Sequence, residues 1–116
     1  MEAVGYYYAA LAIRPNSSVV YNNLGSALHD QKNLPAAIDA YKKALAIDDK
    51  YAMAWYNLGN VLRDQKNLPA AIAAYKKALA IDDKLALAWD GLAAALTPRK
   101  SGLQKKSTAI SLCRPV

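Results

Sequence analysis

QKNLPAAI at residues 31–38, followed after one residue by AYKKALAIDDK at 40–50, recurs unchanged at 65–72 and 74–84. Sliding the chain against itself by 34 places aligns residues 18–51 with 52–85 and matches 24 of the 34 positions. Identity at that level over a fixed period marks repeated supersecondary units that stack on one another. Within each unit the apolar residues fall at helical spacing in two blocks: Leu24 and Leu28 in the first, Ile38, Tyr41 and Leu45 in the second. A polar break at residues 30–34 separates the blocks, and Pro35 and Pro69 stand where a first helical turn tolerates a fixed φ and a missing donor. The unit is therefore a helix, a tight turn and an antiparallel helix.

Gly25 and Gly59 lie inside the first helix of each unit, where glycine costs about 0.8–1.0 kcal/mol against alanine. Close backbone approach is the expected compensation. Ala37 and Ala44, with Ala71 and Ala78, are small enough to bring the second helix near the first, and Tyr41 and Tyr75 are expected to fill the space toward the next unit.

Tyr21-x-x-Leu-Gly and Trp55-x-x-Leu-Gly, followed by Ala, Tyr and Ala at matching offsets, resemble the tetratricopeptide repeat. The resemblance implies an all-α fold, an α-solenoid of antiparallel helix pairs in a right-handed superhelical stack. Its units would be the second helix of a partial repeat at 1–17, full repeats at 18–51 and 52–85, the first helix of a partial repeat at 86–97, and a basic tail, disordered or irregular, at 98–116. One period back, Ala3, Tyr7, Ala10 and Pro15 fall on second-helix positions; one period forward, Ala86, Trp89, Leu92 and Leu96 fall on a first helix. Three departures stand out. Asp49 and Asp83 replace the closing proline, and with Asp48 and Asp82 are expected to favour the N-terminus of the following helix. Ala93 replaces the third unit's glycine, and the second-helix pattern is lost after Leu96.

In the family the first helices line a concave groove. Carried over by position, the groove residues are Val19, Asn22, Asn23, Ser26, His29 and Asp30 in one unit and Met53, Tyr56, Asn57, Asn60, Arg63 and Asp64 in the next, continuing through Leu87, Asp90, Gly91 and Ala94. Asn23 and Asn57 each precede Leu-Gly. A side-chain amide donates and accepts, so it can match an extended peptide backbone without reading its side chains. The arrangement resembles the asparagine ladder in the repeats of protein O-glycosyltransferases, interrupted here by Gly91. Relatives that capture a chaperone's terminal carboxylate use groove lysines; the corresponding positions here carry Val19, Asn22, Met53, Leu87 and Asp90, which argues against that ligand. The expected function is a protein-interaction scaffold that holds an extended segment of a protein or peptide partner. The alternative is a piece of a larger enzyme, linked to a glycosyltransferase or kinase domain, whose array recruits substrate.

Composition agrees with a non-enzymatic reading. Ser26, His29 and Asp30 share an exposed helix segment and lack the oxyanion hole and closed pocket of a nucleophilic triad. No pattern calls for a metal or other cofactor. The single cysteine, Cys113, cannot form an internal disulfide, so a reducing, cytoplasmic setting is expected. The apolar run at 3–13 is too short to span a bilayer and lacks a basic leader. The formal charge of +6 is unevenly spread: residues 18–51 are neutral, 52–85 carry +2, and 86–116 carry +4. Arg99, Lys100, Lys105, Lys106 and Arg114 have no interleaved aromatics, so they imply only salt-sensitive, nonspecific affinity for nucleic acid. The two terminal half units expose apolar helix faces through which copies could self-associate. Lys42-Lys43 and Lys76-Lys77 are expected on the solvated outer face.

Overall fold

The computed structural model describes residues 2–97, which form six α-helices in sequence: α1 (Glu2–Ile13), α2 (Ser18–Asp30), α3 (Leu34–Ile47), α4 (Ala52–Asp64), α5 (Leu68–Ile81) and α6 (Ala86–Leu96). The expected basic tail, with Cys113, lies outside the described residues. Each helix is 11–14 residues long, a length that is marginal in isolation, so tertiary packing must hold it. Helices α2 and α3 pair, as do α4 and α5, and each second helix also packs on the first helix that follows it: α1 on α2, α3 on α4, α5 on α6. The backbones of the first helices approach one another closely, α2 to α4 and α4 to α6, whereas those of the second helices α1, α3 and α5 stay farther apart. The stack is therefore tighter on the first-helix side, which makes that side its inner, concave face.

The interlock is between glycine and tyrosine. Tyr41 and Tyr75 are essentially inaccessible, and Ala37, Ala44, Ala71 and Ala78 are fully buried around them. A Cβ on Gly25 would lie 2.6 Å from Tyr41 Cε1, and one on Gly59 would lie 2.7 Å from Tyr75 Cε1, closer than real Cβ contacts come. Both helical glycines are thus explained by close approach of the ring of their own unit, whereas the sequence reading directed these rings toward the next unit. Tyr75 does reach onward as well: a Cβ on Gly91 of α6 would meet its Cε1 at 2.6 Å. The glycine that breaks the asparagine ladder is the seat for this ring. Tyr7, at the equivalent place in α1, is only half-buried, and Tyr6, Tyr8 and Ile13 are exposed.

The turn within each unit contains a residue that the sequence did not single out. Lys32 and Lys66 have φ of 65° and 67°. Around Lys32, its own N–H donates to the His29 carbonyl at 2.9 Å, and the Asn33 N–H donates to the Leu28 carbonyl at 2.9 Å. The same pair of bonds recurs at Lys66 and Asn67, to Arg63 and Leu62. This is a Schellman ending with lysine in the left-handed position that glycine usually takes. Left-handed backbone costs an L-residue roughly 1–2 kcal/mol, while glycine brings extra unfolded-state entropy. Lys32→Gly and Lys66→Gly should each stabilise the fold by about 0.5–1 kcal/mol; an unchanged or lowered urea midpoint would count against this account of the turn.

The joints between units differ from expectation in one respect. Asp48 and Asp82 Oδ1 accept from the backbone N–H of Lys50 and Lys84 at 3.1 Å, bracing the loop itself. The carbonyls of Asp49 and Asp83 accept the indole N–H of Trp55 and Trp89 at 2.9 Å. Tyr51 and Leu85, which immediately precede α4 and α6, make no side-chain cap, whereas Ser17 caps α2 by accepting from Val20 N–H at 3.2 Å. The aspartates thus brace the loop by hydrogen bonds and do not act as side-chain caps of the next helix.

Candidate functional site

The first-helix side carries the positions expected to form a groove, and the structure sorts them into three groups. Val19, Met53 and Leu87 are the second residues of α2, α4 and α6 and are 54%, 37% and 49% exposed. They are open to a partner. A middle band contains Asn23, Ser26, Tyr56, Asn57 and Asn60, all half-buried. At the far ends of α2 and α4 lie His29, Asp30, Arg63 and Asp64.

Asn22 corrects the sequence reading. It is only 7% exposed and faces the body of the stack, where its Nδ2 donates to the Tyr51 hydroxyl at 3.3 Å and its Oδ1 accepts from Asn57 Nδ2 at 3.0 Å. A buried amide must find partners, because an unsatisfied one costs about 1–3 kcal/mol. Those partners are Tyr51, the last residue of its own unit, and Asn57 of the next, so Asn22 ties α2 to α4 and does not open onto the groove. It also orients Asn57: with one amide N–H engaged, the Asn57 carbonyl oxygen has no partner among the described residues, and Asn23 has none for its amide. The two asparagines are not bonded to one another as rungs, yet both retain hydrogen-bonding capacity at the inner face.

Two other expected groove residues are committed to the core. Ser26 Oγ shares a 2.9 Å hydrogen bond with the Tyr41 hydroxyl, and the Tyr75 hydroxyl donates to Asn60 Oδ1 at 2.6 Å. Burial of each ring raises its phenol pKa above the ordinary value; the Ser26 bond opposes the rise at Tyr41 and the Arg63 charge opposes it at Tyr75. The sequence treated these tyrosines only as volume, although a buried phenol needs a partner and Ser26 and Asn60 occupy matching places one repeat apart. Tyr56 packs beside Tyr75 with ring centroids 6.1 Å apart and planes tilted by 45°.

His29 Nε2 and Asp64 Oδ2 are 2.6 Å apart, a contact that joins the groove ends of α2 and α4. Arg63 has no carboxylate partner among the described residues, and Asp30 is exposed. The putting together of Ser26, His29 and Asp30 in a catalytic cluster does not occur, since Ser26 serves Tyr41 and His29 serves Asp64.

Two cavities open on the other side, where the second helices stand apart. One of about 320 Å³ lies between α1 and α3 over Tyr21, walled by Tyr8, Leu11, Asp39 and Lys43. One of about 240 Å³ lies beside Trp55, Lys77 and Ile81. Lys43 Nζ sits 6.0 Å from the Tyr21 ring centroid and 3.3 Å from Asp39, and Lys77 Nζ sits 5.2 Å from the Trp55 centroid. The second lysine of each pair thus covers an aromatic ring in addition to facing water. Among the described residues no group of three or more metal-ligating side chains occurs, and no helix is long and apolar enough to cross a membrane.

Comparison with known proteins matches residues 25–62 to a TPR repeat model and residues 52–85 to a tetratricopeptide repeat model. No curated protein sequence matches the chain. Among solved structures, the fold is similar to a crystal structure of MamA, with a TM-score of 0.78, 28% identity, and coverage of 91% of this chain. The match spans 61% of the MamA chain. It is also similar to the first TPR of Spaghetti (RPAP3) bound to the HSP90 peptide SRMEEVD, at a TM-score of 0.76 and 22% identity over 95% of this chain and 79% of the other. The TPR domain of Sgt2 from Aspergillus fumigatus gives 0.78 and 21% over 97% and 72%. The latter two likenesses establish shape alone.

Proposed function

Since the chain belongs to the tetratricopeptide repeat family, we propose that it is a protein-interaction scaffold whose first-helix face holds an extended segment of a partner protein. One observation supports this most: the inner face presents Asn23 and Asn57 with unspent hydrogen-bonding capacity, flanked by the exposed apolar Val19, Met53 and Leu87. A folded segment has few free backbone groups to offer such amides, whereas an extended one has a donor and an acceptor at every non-proline residue. Groove positions that would clamp a terminal carboxylate carry no lysine, so the ligand of the Spaghetti domain is not the expected ligand here.

The asparagine contribution is testable. Each amide hydrogen bond is worth about 0.5–1.5 kcal/mol, so Asn23→Ala should weaken peptide binding by roughly two- to tenfold. Asn57→Ala should do the same, and also leave Asn22 Oδ1 without its partner. Isothermal titration against a binding peptide selected from an unstructured library reads both values. Unchanged affinity in the double variant, with the fold intact by circular dichroism, would remove the amides from the binding mechanism.

A further inference from the structure

The reading just proposed leaves the chemistry of the bound segment unassigned, and the following rests on that reading. The inner face has three parallel edges, each repeating once per unit. Apolar side chains stand at the starts of the first helices, at Val19, Met53 and Leu87. Amides follow at Asn23 and Asn57, and carboxylates stand at the far ends, at Asp30 and Asp64.

The spacing of such edges is set by helix packing. Axes of packed helices lie about 8–10 Å apart, and α2, α4 and α6 touch in succession, so the apolar side chains recur at about that interval. A polyproline II segment has three residues per turn and rises about 3.1 Å per residue, so every third side chain returns to the same face after about 9.3 Å. A β-strand returns a side chain after about 6.7 Å and falls out of step by the next unit. An α-helix could place every seventh residue at about 10.5 Å, but its backbone groups are already paired internally and would leave the asparagines nothing to bond. Polyproline II has no internal hydrogen bonds, and its carbonyls are free to accept from those amides.

Charge narrows the choice further. With Asp64 and His29 held against each other, Asp30 and Asp90 outnumber Arg63 among the other ionised groups expected on this face. The carboxylate edge lies on the opposite side of the amides from the apolar edge, so a segment seated on both presents apolar and basic side chains in alternation around its axis.

We propose that the groove takes a basic segment in polyproline II conformation with an apolar side chain at every third position. The test uses the full chain and fluorescein-labelled peptides, twelve residues long apart from the one taken from this chain, read by fluorescence polarisation. The probe is (Leu-Pro-Lys) repeated four times. Its comparators are a Leu-alternating peptide of equal charge, a helix-forming peptide with leucine every seventh residue, the (Leu-Pro-Glu) counterpart, and a peptide of residues 98–116 of this chain.

The expected result is that the probe binds at least about tenfold more tightly than every comparator. Met53→Asp should cost it at least about tenfold, while Lys43→Ala on the other side leaves it unchanged. Equal binding by the alternating, heptad or acidic peptide would overturn the proposal and leave the groove reading standing. Tighter binding by residues 98–116 would overturn it in favour of the chain's own C-terminal segment as occupant. If none of these peptides binds, and a mixed unstructured library also fails, the groove reading itself falls.

Discussion

Tyr75→Ala is expected to lower the unfolding free energy by about 3–5 kcal/mol, the range for removing a fully buried aromatic side chain. Few single changes here should cost as much. The ring is 0% exposed, lies against Gly59 and Gly91 together, and donates its hydroxyl to Asn60 at 2.6 Å. Truncation opens a cavity, strips the contacts to two helices, and removes one hydrogen bond. Domains of this size are stable by roughly 5–15 kcal/mol, so the variant should lose about a fifth or more of its stability and much of its cooperative transition. Tyr75→Phe keeps the ring and should lose only the hydrogen bond, about 0.5–1.5 kcal/mol. Urea titration followed by circular dichroism separates the two. Similar losses in both variants would mean that the hydroxyl, and not the volume, dominates.

Gly59→Ala is the second large effect, and its sign is the informative part. In an exposed helix the change would stabilise by about 1 kcal/mol. Here the new methyl would stand 2.7 Å from Tyr75 Cε1 and 2.8 Å from Cδ1, in a ring that has no room to turn away. Overpacking typically costs about 1–3 kcal/mol, which outweighs or cancels that gain, so the variant should be destabilised by about 0–2 kcal/mol net instead of stabilised. A double-mutant cycle checks the cause. In a Tyr75→Leu background the obstruction is gone, and Gly59→Ala should become neutral or stabilising by up to about 1 kcal/mol. Additive losses in the cycle would show that the glycine is needed for some reason other than this ring.

The helices, their order and their small-residue contacts could be read from the sequence because repetition doubles every signal. Pro35 and Pro69 announce helix starts, and Leu24, Leu28 and Tyr41 set the buried faces. What escaped reading depended on partners that sequence spacing does not reveal. Asn22 has the same helical phase as Tyr56, which is half-buried beside the groove, yet Asn22 is drawn inward by Tyr51 at the end of its own unit and by Asn57 of the next. Lys32 and Lys66 occupy left-handed backbone without the glycine that usually marks it, so the turn was visible and its geometry was not. Ser26 and Asn60 looked like surface residues because the hydroxyls they serve belong to rings identified only by bulk. The position of Gly91 was seen as a gap in the amide series, whereas it accommodates Tyr75.

That accommodation bears on how the stack comes apart. A linear array unfolds as a row of neighbouring elements, each with its own intrinsic stability and a coupling to the next. Because Tyr75 contacts a glycine in α4 and another in α6, its packing contributes to the coupling across a boundary as well as to the unit that carries it. The α4, α5 and α6 segment should therefore melt as one block, with similar slow amide exchange in all three helices. The half-buried Tyr7 gives α1 a weaker hold on α2, so fraying should begin at that end and advance toward the tyrosine that joins α4 to α6.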